Sequence, residues 1–331
     1  MTKIIAFGIR DEERPIVEAW ANKANVEVKM LQDILTEKTI YQVEGYDGVT
    51  LSQVAPLEQS IYAKLEAFGI KQIAQRSAGV DMYDLEMAKR HHLIVSNVPT
   101  YSPESIAEWS ALTAMNLIRH YDAIQEQVKK HNFSWTPNIR GRVIGNMTVA
   151  IIGTGHIGQC VAQIFKGMGA KIVGYDLYPN DELKDLLEYQ SSIEQAVEQA
   201  DIVSLHIPAI EENHHLFDEK MFKKFKQGAV LLNMARGSVI DTTALLNALD
   251  EGILLGAGLD TYEHEAPYIP KDFSDKEIED EVFVKVLDHP KVIYSPHIAF
   301  YTDESVKNLV EGGLNATLDV IKTGTTKNRV N

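Results

Sequence analysis

Ile151-Ile152-Gly153-Thr154-Gly155-His156-Ile157-Gly158 is the stretch that decides how this chain folds. Its glycines have the spacing G-x-G-x-x-G, an apolar run from residue 147 precedes them, and a mostly apolar helical pattern follows to residue 168. In such a turn Gly153 permits the tight bend, Gly155 lets the backbone approach a pyrophosphate, and Gly158 lets helix and strand pack closely. The pyrophosphate would lie on the helix N-terminus, where unpaired N–H groups and the helix dipole favour an anion. The stretch therefore predicts a dinucleotide-binding Rossmann fold.

An acidic residue farther along the chain indicates which dinucleotide binds. Residues 171–175 have a strand pattern that ends at Asp176, which lies at about the 20-residue spacing expected of the acid that hydrogen-bonds a ribose 2′-hydroxyl. Leu177, Tyr178 and Pro179 follow, and none of them carries a positive charge to accept a 2′-phosphate. The expected cofactor is NAD rather than NADP.

Composition and charge argue against several classes of protein. The net charge of −15 disfavours broad binding to nucleic acid or to an anionic membrane, because both need basic surface. No apolar stretch approaches the roughly 20 residues of a membrane helix, and the first residues lack a signal-peptide layout. A single cysteine, Cys160, cannot form an intramolecular disulfide, which is typical of a cytoplasmic protein. We expect it to pack in the helix after the glycine loop rather than act as a nucleophile.

Strand and helix patterns alternate along most of the chain, which predicts parallel sheets with crossover helices. Residues 1–100 have this alternation without a phosphate-binding glycine pattern, and a helix predicted at 303–321 must return somewhere. We therefore predict two doubly wound parallel-sheet domains, with a Rossmann NAD-binding domain (101–299) inserted into a flavodoxin-like substrate domain (1–100 and 300–331). Two crossings of the chain would make a hinge with a ligand-binding cleft.

Two further segments carry structural expectations. A helix beginning at Ser102-Pro103-Glu104 is expected to run toward Val128, as a connector and a dimer contact. The acidic stretch from Glu263 to Asp288 is expected to be a solvated excursion.

Ligands of doubly wound sheets collect beyond the carboxyl ends of the strands, so the residues at those ends are candidates for chemistry. Arg236 offers a planar fork that binds a carboxylate through two hydrogen bonds. His297 can exchange a proton near neutral pH, and Glu265 is the candidate carboxylate that would stabilise its imidazolium and fix its tautomer. Asp260 would tune this network or contact the nicotinamide side. The alternatives are a structural ion pair for Arg236 and solvated acids for Glu265 and Asp260.

Three other histidines raise the question of a metal site. His214-His215 and His264 are not accompanied by a cysteine cluster or by the spacing H-E-x-x-H. We therefore expect no metal.

Several segments resemble the D-isomer-specific 2-hydroxyacid dehydrogenases, and the resemblance covers essentially the whole chain. Besides residues 149–158, the segments are Arg76-Ser77-Ala78-Gly79-Val80-Asp81, Ser96-Asn97-Val98-Pro99-Thr100-Tyr101-Ser102-Pro103, Asn233-Met234-Ala235-Arg236-Gly237, Asp260-Thr261-Tyr262-Glu263-His264-Glu265 and Ser295-Pro296-His297-Ile298-Ala299-Phe300-Tyr301.

The resemblance implies a role for each of these segments. Arg236, Glu265 and His297 would form the catalytic set. Backbone N–H groups around Ala78 and Gly79 would help hold the substrate carboxylate, and Tyr101 would line the pocket. The nucleotide contacts that it implies, together with those of the glycine loop, are Gly153, Thr154, Gly155, His156, Ile157, Gly158, Asp176, Ile207, Pro208, Asn213, Met234, Ala235, Arg236 and Asp260. Members of the family are commonly homodimers built through the nucleotide domain.

The implied reaction is the reversible, NADH-dependent reduction of a small 2-oxo acid, such as pyruvate, to the D-2-hydroxy acid. Pyruvate-reducing members resemble Gly-Val-Val-Val-Tyr-Gln-Gln where this chain has Gly48-Val49-Thr50-Leu51-Ser52-Gln53-Val54. Ser52 would make the substrate pocket roomier, so a dehydrogenase of the D-2-hydroxyisocaproate or phenyllactate type is the alternative. A more remote alternative is an NAD-sensing binding protein, similar to the corepressors that resemble this family.

Overall fold

The computed structural model describes residues 1–331, and its strands all pair in parallel in two separate sheets. The strands are β1 (Lys3–Phe7), β2 (Glu27–Met30), β3 (Gly48–Leu51), β4 (Gln72–Gln75), β5 (Ile94–Ser96), β6 (Thr148–Ile152), β7 (Lys171–Tyr175), β8 (Glu188–Tyr189), β9 (Ile202–Leu205), β10 (Ala229–Asn233), β11 (Leu254–Leu259) and β12 (Val292–Tyr294). The α-helices are α1 (Arg14–Ala24), α2 (Gln59–Ala67), α3 (Leu85–Arg90), α4 (Pro103–Arg119), α5 (Tyr121–Lys129), α6 (His156–Gly167), α7 (Ile193–Gln199), α8 (Glu219–Phe222), α9 (Thr242–Asp250), α10 (Glu281–Asp288) and α11 (Asp303–Thr323). The chain divides into two compact units, Met1–Ser102 with Tyr301–Asn331, and Pro103–Phe300.

The first unit contains a five-stranded sheet in the order β2-β1-β3-β4-β5, which is the flavodoxin-like order. Strand β1 is apolar at four successive positions because both faces of the sheet are covered. Ile5 and Phe7 pack in a cluster with side chains of α2 and α3, whereas Ile4 and Ala6 pack with side chains of α1 and α11. Because successive side chains of a strand point to opposite faces, β1 contributes to the hydrophobic clusters on both sides of the sheet.

The second unit contains a seven-stranded sheet in the order β12-β11-β10-β9-β6-β7-β8, a doubly wound order that reverses direction between β6 and β9. Helices α7 to α10 contribute to one buried cluster, in which Ala257 and Leu259 of β11 take part. Gly256 and Gly258 alternate with them, and a Cβ at either position would meet side chains of α4. The absence of side chains there lets α4 lie close to the sheet. The predicted fold class is confirmed in both units.

The helix predicted to run from Ser102 toward Val128 is interrupted, so that prediction was wrong in its extent. Helix α4 ends at Arg119, and His120 adopts a left-handed conformation with φ of 54° before α5 begins. The carbonyl of Ile118 accepts its hydrogen bond from the backbone N–H of Arg142, at 3.0 Å. A tertiary contact therefore replaces the helical bond that would have continued α4.

The acidic stretch from Glu263 to Asp288 is not only a solvated excursion, and this expectation also needs correction. Helix α10 lies within it, and Phe283 and Val286 are buried. The Phe283 ring stacks on Tyr262 with centroids 4.6 Å apart, and the Asp280 carboxylate caps the helix while accepting the Tyr262 hydroxyl at 2.8 Å. Aromatic burial outweighs the acidic composition here.

The single cysteine and the hydropathy of the helices bear on two further expectations from the sequence. Cys160 is a free, half-buried residue of α6, and burial raises the pKa of its thiol, with nearby Glu104 adding to the rise. A raised thiol pKa disfavours the thiolate that a nucleophile needs. None of the helices combines the length and the hydropathy that crossing a bilayer requires.

Candidate active site

The glycine loop follows β6 at the point where the strand order reverses, and glycine is needed at each of its three positions for a different physical reason. Gly153 has φ of +93°, and a Cβ there would lie 2.5 Å from the carbonyl oxygen of His206. A Cβ at Gly158 would overlap the carbonyl oxygen of Gly153. Gly155 precedes the first residue of α6 as its N-cap, and no atom outside Gly155 and its two chain neighbours lies within 4 Å of the position that its Cβ would take. The open space lies where a pyrophosphate would meet the helix N-terminus.

Asp176 lies beside this loop, directly after β7. One of its carboxylate oxygens accepts the backbone N–H of Thr154 at 2.7 Å, and the other accepts the N–H of Tyr178 at 2.9 Å. The Thr154 hydroxyl also contacts the Tyr189 hydroxyl, at 2.7 Å. The carboxylate is thereby fixed at the edge of the glycine loop. This carboxylate is an acceptor for the ribose hydroxyls, and the N–H groups at the start of α6 are donors for the pyrophosphate. Together they are the donors and acceptors that NAD requires.

The other predicted nucleotide contacts follow β9 and β10. Ile207 packs against Gly153, since its Cγ2 would lie 3.0 Å from a Cβ at that glycine. Asn213 donates its side-chain N–H to the carbonyl of Pro208 at 2.9 Å, which closes the loop after β9. Met234 is buried just beyond β10. These residues lie at the same carboxyl edge of the sheet as the glycine loop.

Arg236 is presented by a turn that Asn233, the last residue of β10, holds in place. The buried Asn233 amide donates to the carbonyl of Arg236 at 2.9 Å and accepts the N–H of Ala235 at 3.1 Å. Arg236 itself is half-buried and donates from Nη1 to the carbonyl of Ala235 at 2.8 Å. Gly237 follows, and its lack of a Cβ allows the backbone of residues 262–263 to lie against it. The arginine turn and the loop after β11 are therefore in direct contact.

Glu265 and His297, which are 32 residues apart, meet beyond β11 and β12. Glu265 Oε1 lies 2.6 Å from His297 Nδ1, and Glu265 Oε2 accepts the backbone N–H of Tyr262 at 2.9 Å. An ionised carboxylate can only accept hydrogen bonds, so Nδ1 of the imidazole is the donor. Nε2, on the far side of the ring, is then the nitrogen able to exchange a proton with a ligand.

Asp260 fixes the turn that carries His297. Its buried carboxylate accepts the Ser295 hydroxyl at 2.5 Å and the backbone N–H groups of Ile298 and Ala299, both at 2.9 Å. Burial raises the pKa of Asp260 even though these hydrogen bonds oppose the rise. His297 has φ of +54°, an uncommon conformation for a residue with a side chain. The hydrogen bonds to Asp260 hold the backbone in it.

Besides Arg236 and His297, the predicted substrate contacts lie in the first unit, where each follows a strand of the five-stranded sheet. Ser52 comes after β3 and donates its N–H to the carbonyl of Phe7 at 3.2 Å. The carbonyl of Ala78 accepts the Asn97 side chain at 2.7 Å, and the carbonyl of Gly79 accepts the Ser77 hydroxyl at 2.7 Å. Tyr101 comes after β5, and its carbonyl accepts the Asn308 side chain at 2.6 Å. These residues thus share the carboxyl edge of that sheet.

The sequence reading missed a second pairing of a histidine with a glutamate. His215 Nε2 lies 2.7 Å from Glu263 Oε2, and His264 Nε2 lies 4.0 Å from the same oxygen. No group of three His, Cys, Asp or Glu side chains is arranged to hold a metal ion. Of the histidines considered as metal ligands, His215 and His264 lie beside the Glu263 carboxylate. His215 and Glu263 are 48 residues apart, so no local pattern in the sequence could have indicated this pair.

Substitution of the glycines separates folding from nucleotide binding. Gly155→Ala is expected to leave the melting temperature within about 2 °C of wild type and to weaken NADH binding at least about tenfold, because the methyl group fills open space at the helix N-terminus. Gly158→Ala should instead lower the melting temperature, because its Cβ overlaps the Gly153 carbonyl. Fluorescence titration with NADH and thermal unfolding of both variants measure this difference. Unchanged NADH affinity in Gly155→Ala would contradict the placement.

The chain is similar to known proteins along essentially its whole length. Residues 111–299 match the sequence model described as D-isomer specific 2-hydroxyacid dehydrogenase, NAD binding domain. A D-lactate dehydrogenase of Streptococcus agalactiae is 57% identical over 329 residues, which cover 99% of this chain and 100% of that protein. The structure of a D-2-hydroxyisocaproate dehydrogenase is similar with a TM-score of 0.92 at 35% identity, covering 99% of each chain. A D-lactate dehydrogenase from Lactobacillus jensenii, solved with NAD+, has a TM-score of 0.89 at 36% identity, covering 100% of this chain and 99% of that one.

Proposed function

The chain belongs to the D-isomer-specific 2-hydroxyacid dehydrogenase family, whose members are NAD-dependent enzymes, and we propose that it reversibly reduces pyruvate to D-lactate with NADH. The observation that carries the proposal is the contact of 2.6 Å between Glu265 and His297, because it provides a proton donor beside a nucleotide-binding sheet edge. The high identity to a D-lactate dehydrogenase over the whole chain supports the choice of substrate.

The cofactor would be held by the glycine loop and the residues around it. The pyrophosphate would occupy the open space over Gly155, and the carboxylate of Asp176 would accept hydrogen bonds from a ribose. Ile207 with Pro208, Asn213 and Met234 with Ala235 would contact the rest of the nucleotide. When bound, NADH supplies the hydride for the reduction.

Three side chains would act on the substrate. Arg236 binds the carboxylate of the 2-oxo acid and polarises its carbonyl, because the guanidinium offers two parallel donors. His297 donates the proton from Nε2 to the carbonyl oxygen, and Glu265 stabilises the imidazolium from the Nδ1 side. In the reverse direction the same nitrogen accepts the proton of the alcohol. Asp260 keeps the histidine turn in its left-handed conformation.

We also propose substrate contacts in the first unit. Backbone N–H groups near Ala78 and Gly79 would bind the substrate carboxylate, and Tyr101 and Ser52 would line the pocket. A Cβ at Gly8 would lie 3.0 Å from the Ser52 carbonyl oxygen, so the backbones of these two residues lie close together. A serine at this position leaves more space than a tyrosine. The pocket should therefore also accept larger 2-oxo acids, and a preference of the D-2-hydroxyisocaproate type is the second candidate.

Initial rates with NADH against pyruvate, 2-oxoisocaproate and phenylpyruvate, followed by chiral analysis of the products, test the proposal. We expect D-lactate as the product from pyruvate and a kcat of at least about 10 s⁻¹. A higher kcat/KM with the branched or aromatic acid would favour the second candidate. Fewer than about one turnover per second with every acid would instead favour an NAD-sensing binding protein.

We also propose that the protein is a homodimer formed through the second unit, and that it works in the cytoplasm. Leu112 of α4 and Phe133 and Trp135 after α5 are exposed, Trp135 to 97%, and exposed apolar side chains of this size are typical of an interface. The free cysteine, Cys160, agrees with a reducing compartment. Light scattering should give about twice the chain mass of 37.0 kDa, and a monomer at micromolar concentration would refute the dimer.

A further inference from the structure

We propose that Glu263 and His215 form a second carboxylate–imidazole pair, whose role is to position the loops that carry Arg236 and Glu265. The two side chains meet at 2.7 Å, and the Glu263 side chain is only 12% exposed. They are positioning residues in this proposal and do not contact the substrate. The inference rests on the proposed function, since it concerns the residues assigned to that reaction.

The His215 segment is attached to the arginine turn by backbone hydrogen bonds. The backbone N–H of His215 donates to the carbonyl of Ser238 at 2.9 Å, and the N–H of Phe217 donates to the carbonyl of Val239 at 3.0 Å. Phe217 also forms a parallel bridge with Ile240. The segment 215–217 therefore lies alongside residues 238–240, which directly follow Arg236 and Gly237.

The arginine turn is also in contact with the Glu263 segment. A Cβ at Gly237 would overlap the backbone N of Glu263 and the carbonyl carbon of Tyr262, so the two chains touch at the backbone. The Thr242 side chain, at the start of α9, lies close enough to the Glu263 carboxylate to lower its pKa. Glu263 thus joins three segments of the second unit, which contain His215, Gly237 and Thr242.

Hydrogen bonds within the segment that contains both glutamates fix its geometry. The backbone N–H of Glu265 donates to the carbonyl of Tyr262 at 3.2 Å, and the N–H of Tyr262 donates to Glu265 Oε2 at 2.9 Å. Residues 262–265 therefore form a tight turn, with Glu263 bound to His215 and Glu265 bound to His297. Holding the first carboxylate restricts where the turn can place the second.

The charge on Glu263 makes this attachment strong. Burial tends to raise its pKa, but the neighbouring side chains of His215 and Thr242 outweigh burial and lower the pKa of the carboxyl group below its usual value. The carboxylate is therefore ionised at neutral pH, and a mostly buried charge needs its partners. His264 is 68% exposed and lies 4.0 Å away, so it is a weaker partner than His215.

A matched control pair exists in the same unit. His289 Nε2 lies 3.3 Å from Asp250 Oδ1, and these residues precede β12 and β11, whereas the site residues follow the same strands. The pair has the same chemistry at the opposite edge of the sheet. Asp250→Asn should therefore leave the kinetic constants of the reaction unchanged.

The test compares Glu263→Ala, His215→Ala, their double variant, Glu263→Gln and Asp250→Asn in the full-length protein. We expect Glu263→Ala to lower kcat for pyruvate by about 10- to 100-fold, because displacements of about 1 Å have effects of that size, while KM for NADH changes less than about twofold. The double variant should lose no more than Glu263→Ala alone, since the pair acts as a unit. Glu263→Gln retains an acceptor for His215 and should recover to within about fivefold of wild type.

Hydrogen exchange gives a readout that does not depend on activity. Amide exchange in residues 236–240 and 262–266 should accelerate in Glu263→Ala and His215→Ala and should stay at the wild-type rate in Asp250→Asn. Normal kcat and normal exchange in Glu263→Ala would overturn the proposal, as would independent, multiplicative losses in the double variant. If the wild-type protein and Asp250→Asn turn over no 2-oxo acid, the proposed function fails, and the exchange data alone decide whether the pair holds the loops. If Glu263→Ala does not fold, His215→Gln replaces it in the same comparison.

Discussion

His297→Gln is expected to lower kcat for the reduction of pyruvate by about 10³-fold, because glutamine cannot donate a proton as an imidazolium does. In the structure the imidazole is held through Nδ1 by Glu265, at 2.6 Å, so Nε2 is the nitrogen left for the carbonyl oxygen. Glutamine can still hydrogen-bond the same carboxylate, so the loop should persist while proton transfer is lost. Steady-state rates at saturating NADH and pyruvate measure the effect, and NADH affinity should stay within about threefold of wild type, consistent with a residue that acts on the substrate.

Backbone strain is the competing explanation for a loss of activity, and a second variant separates the two causes. His297 has φ of +54°, a conformation that asparagine adopts more readily than glutamine. We therefore expect His297→Asn to be as inactive as His297→Gln but closer to wild type in melting temperature. His289→Gln removes an imidazole that is paired with a carboxylate at the opposite edge of the same sheet, and this variant should retain full activity. Near-normal turnover in either His297 variant would refute proton donation by this residue.

Arg236→Lys is expected to raise KM for pyruvate by about 10- to 100-fold, with a smaller fall in kcat. The guanidinium binds a carboxylate through two parallel hydrogen bonds, whereas an ammonium group is a point charge that does not reproduce this geometry. Hydrogen bonds to charged groups contribute about 1.5–3 kcal/mol, and the loss of one corresponds to the expected change in KM. The comparison uses initial rates over a range of pyruvate concentrations at saturating NADH.

Arg142→Lys is the matched control for this prediction. Arg142 belongs to the same unit and pairs with the buried carboxylate of Asp201, which lies before β9 and so at the amino edge of the sheet. Its replacement by lysine should affect stability and leave KM for pyruvate unchanged. An Arg236→Lys enzyme with wild-type KM for pyruvate, 2-oxoisocaproate and phenylpyruvate would exclude Arg236 as the group that binds the carboxylate.

Local sequence patterns predicted the structure correctly where it depends on residues that are close together in the chain. The run from Ile151 to Gly158 indicates a strand, a tight turn and a helix start, because Gly153 has the positive φ that the turn needs and Gly158 lies against the Gly153 carbonyl within the same turn. The strand at 171–175 ends at Asp176 as its pattern indicates, since alternation between strand and turn residues is also local. The fold class follows from these elements, because parallel strands joined by helices allow few arrangements.

Local sequence patterns gave wrong predictions where a contact between residues far apart in the chain determines the structure. The sequence around His120 does not indicate a break between α4 and α5. The backbone N–H of Arg142, which bonds the Ile118 carbonyl, comes from another part of the chain. The acidic residues near Asp280 suggested exposure, yet stacking of Phe283 on Tyr262 buries part of that segment. In both places tertiary contacts outweigh local propensity.

The sequence alone determined the cofactor-binding turn, the class of both sheets and a short list of charged residues at strand ends. These depend on periodicity and on spacings of a few residues. Only the tertiary structure decided which charged residues meet: Glu265 with His297 across 32 residues, and Glu263 with His215 across 48. The two glutamates are separated by a single residue and are chemically identical in the sequence. Their partners differ because the turn at residues 262–265 directs them toward different loops, and that direction is a property of the folded backbone.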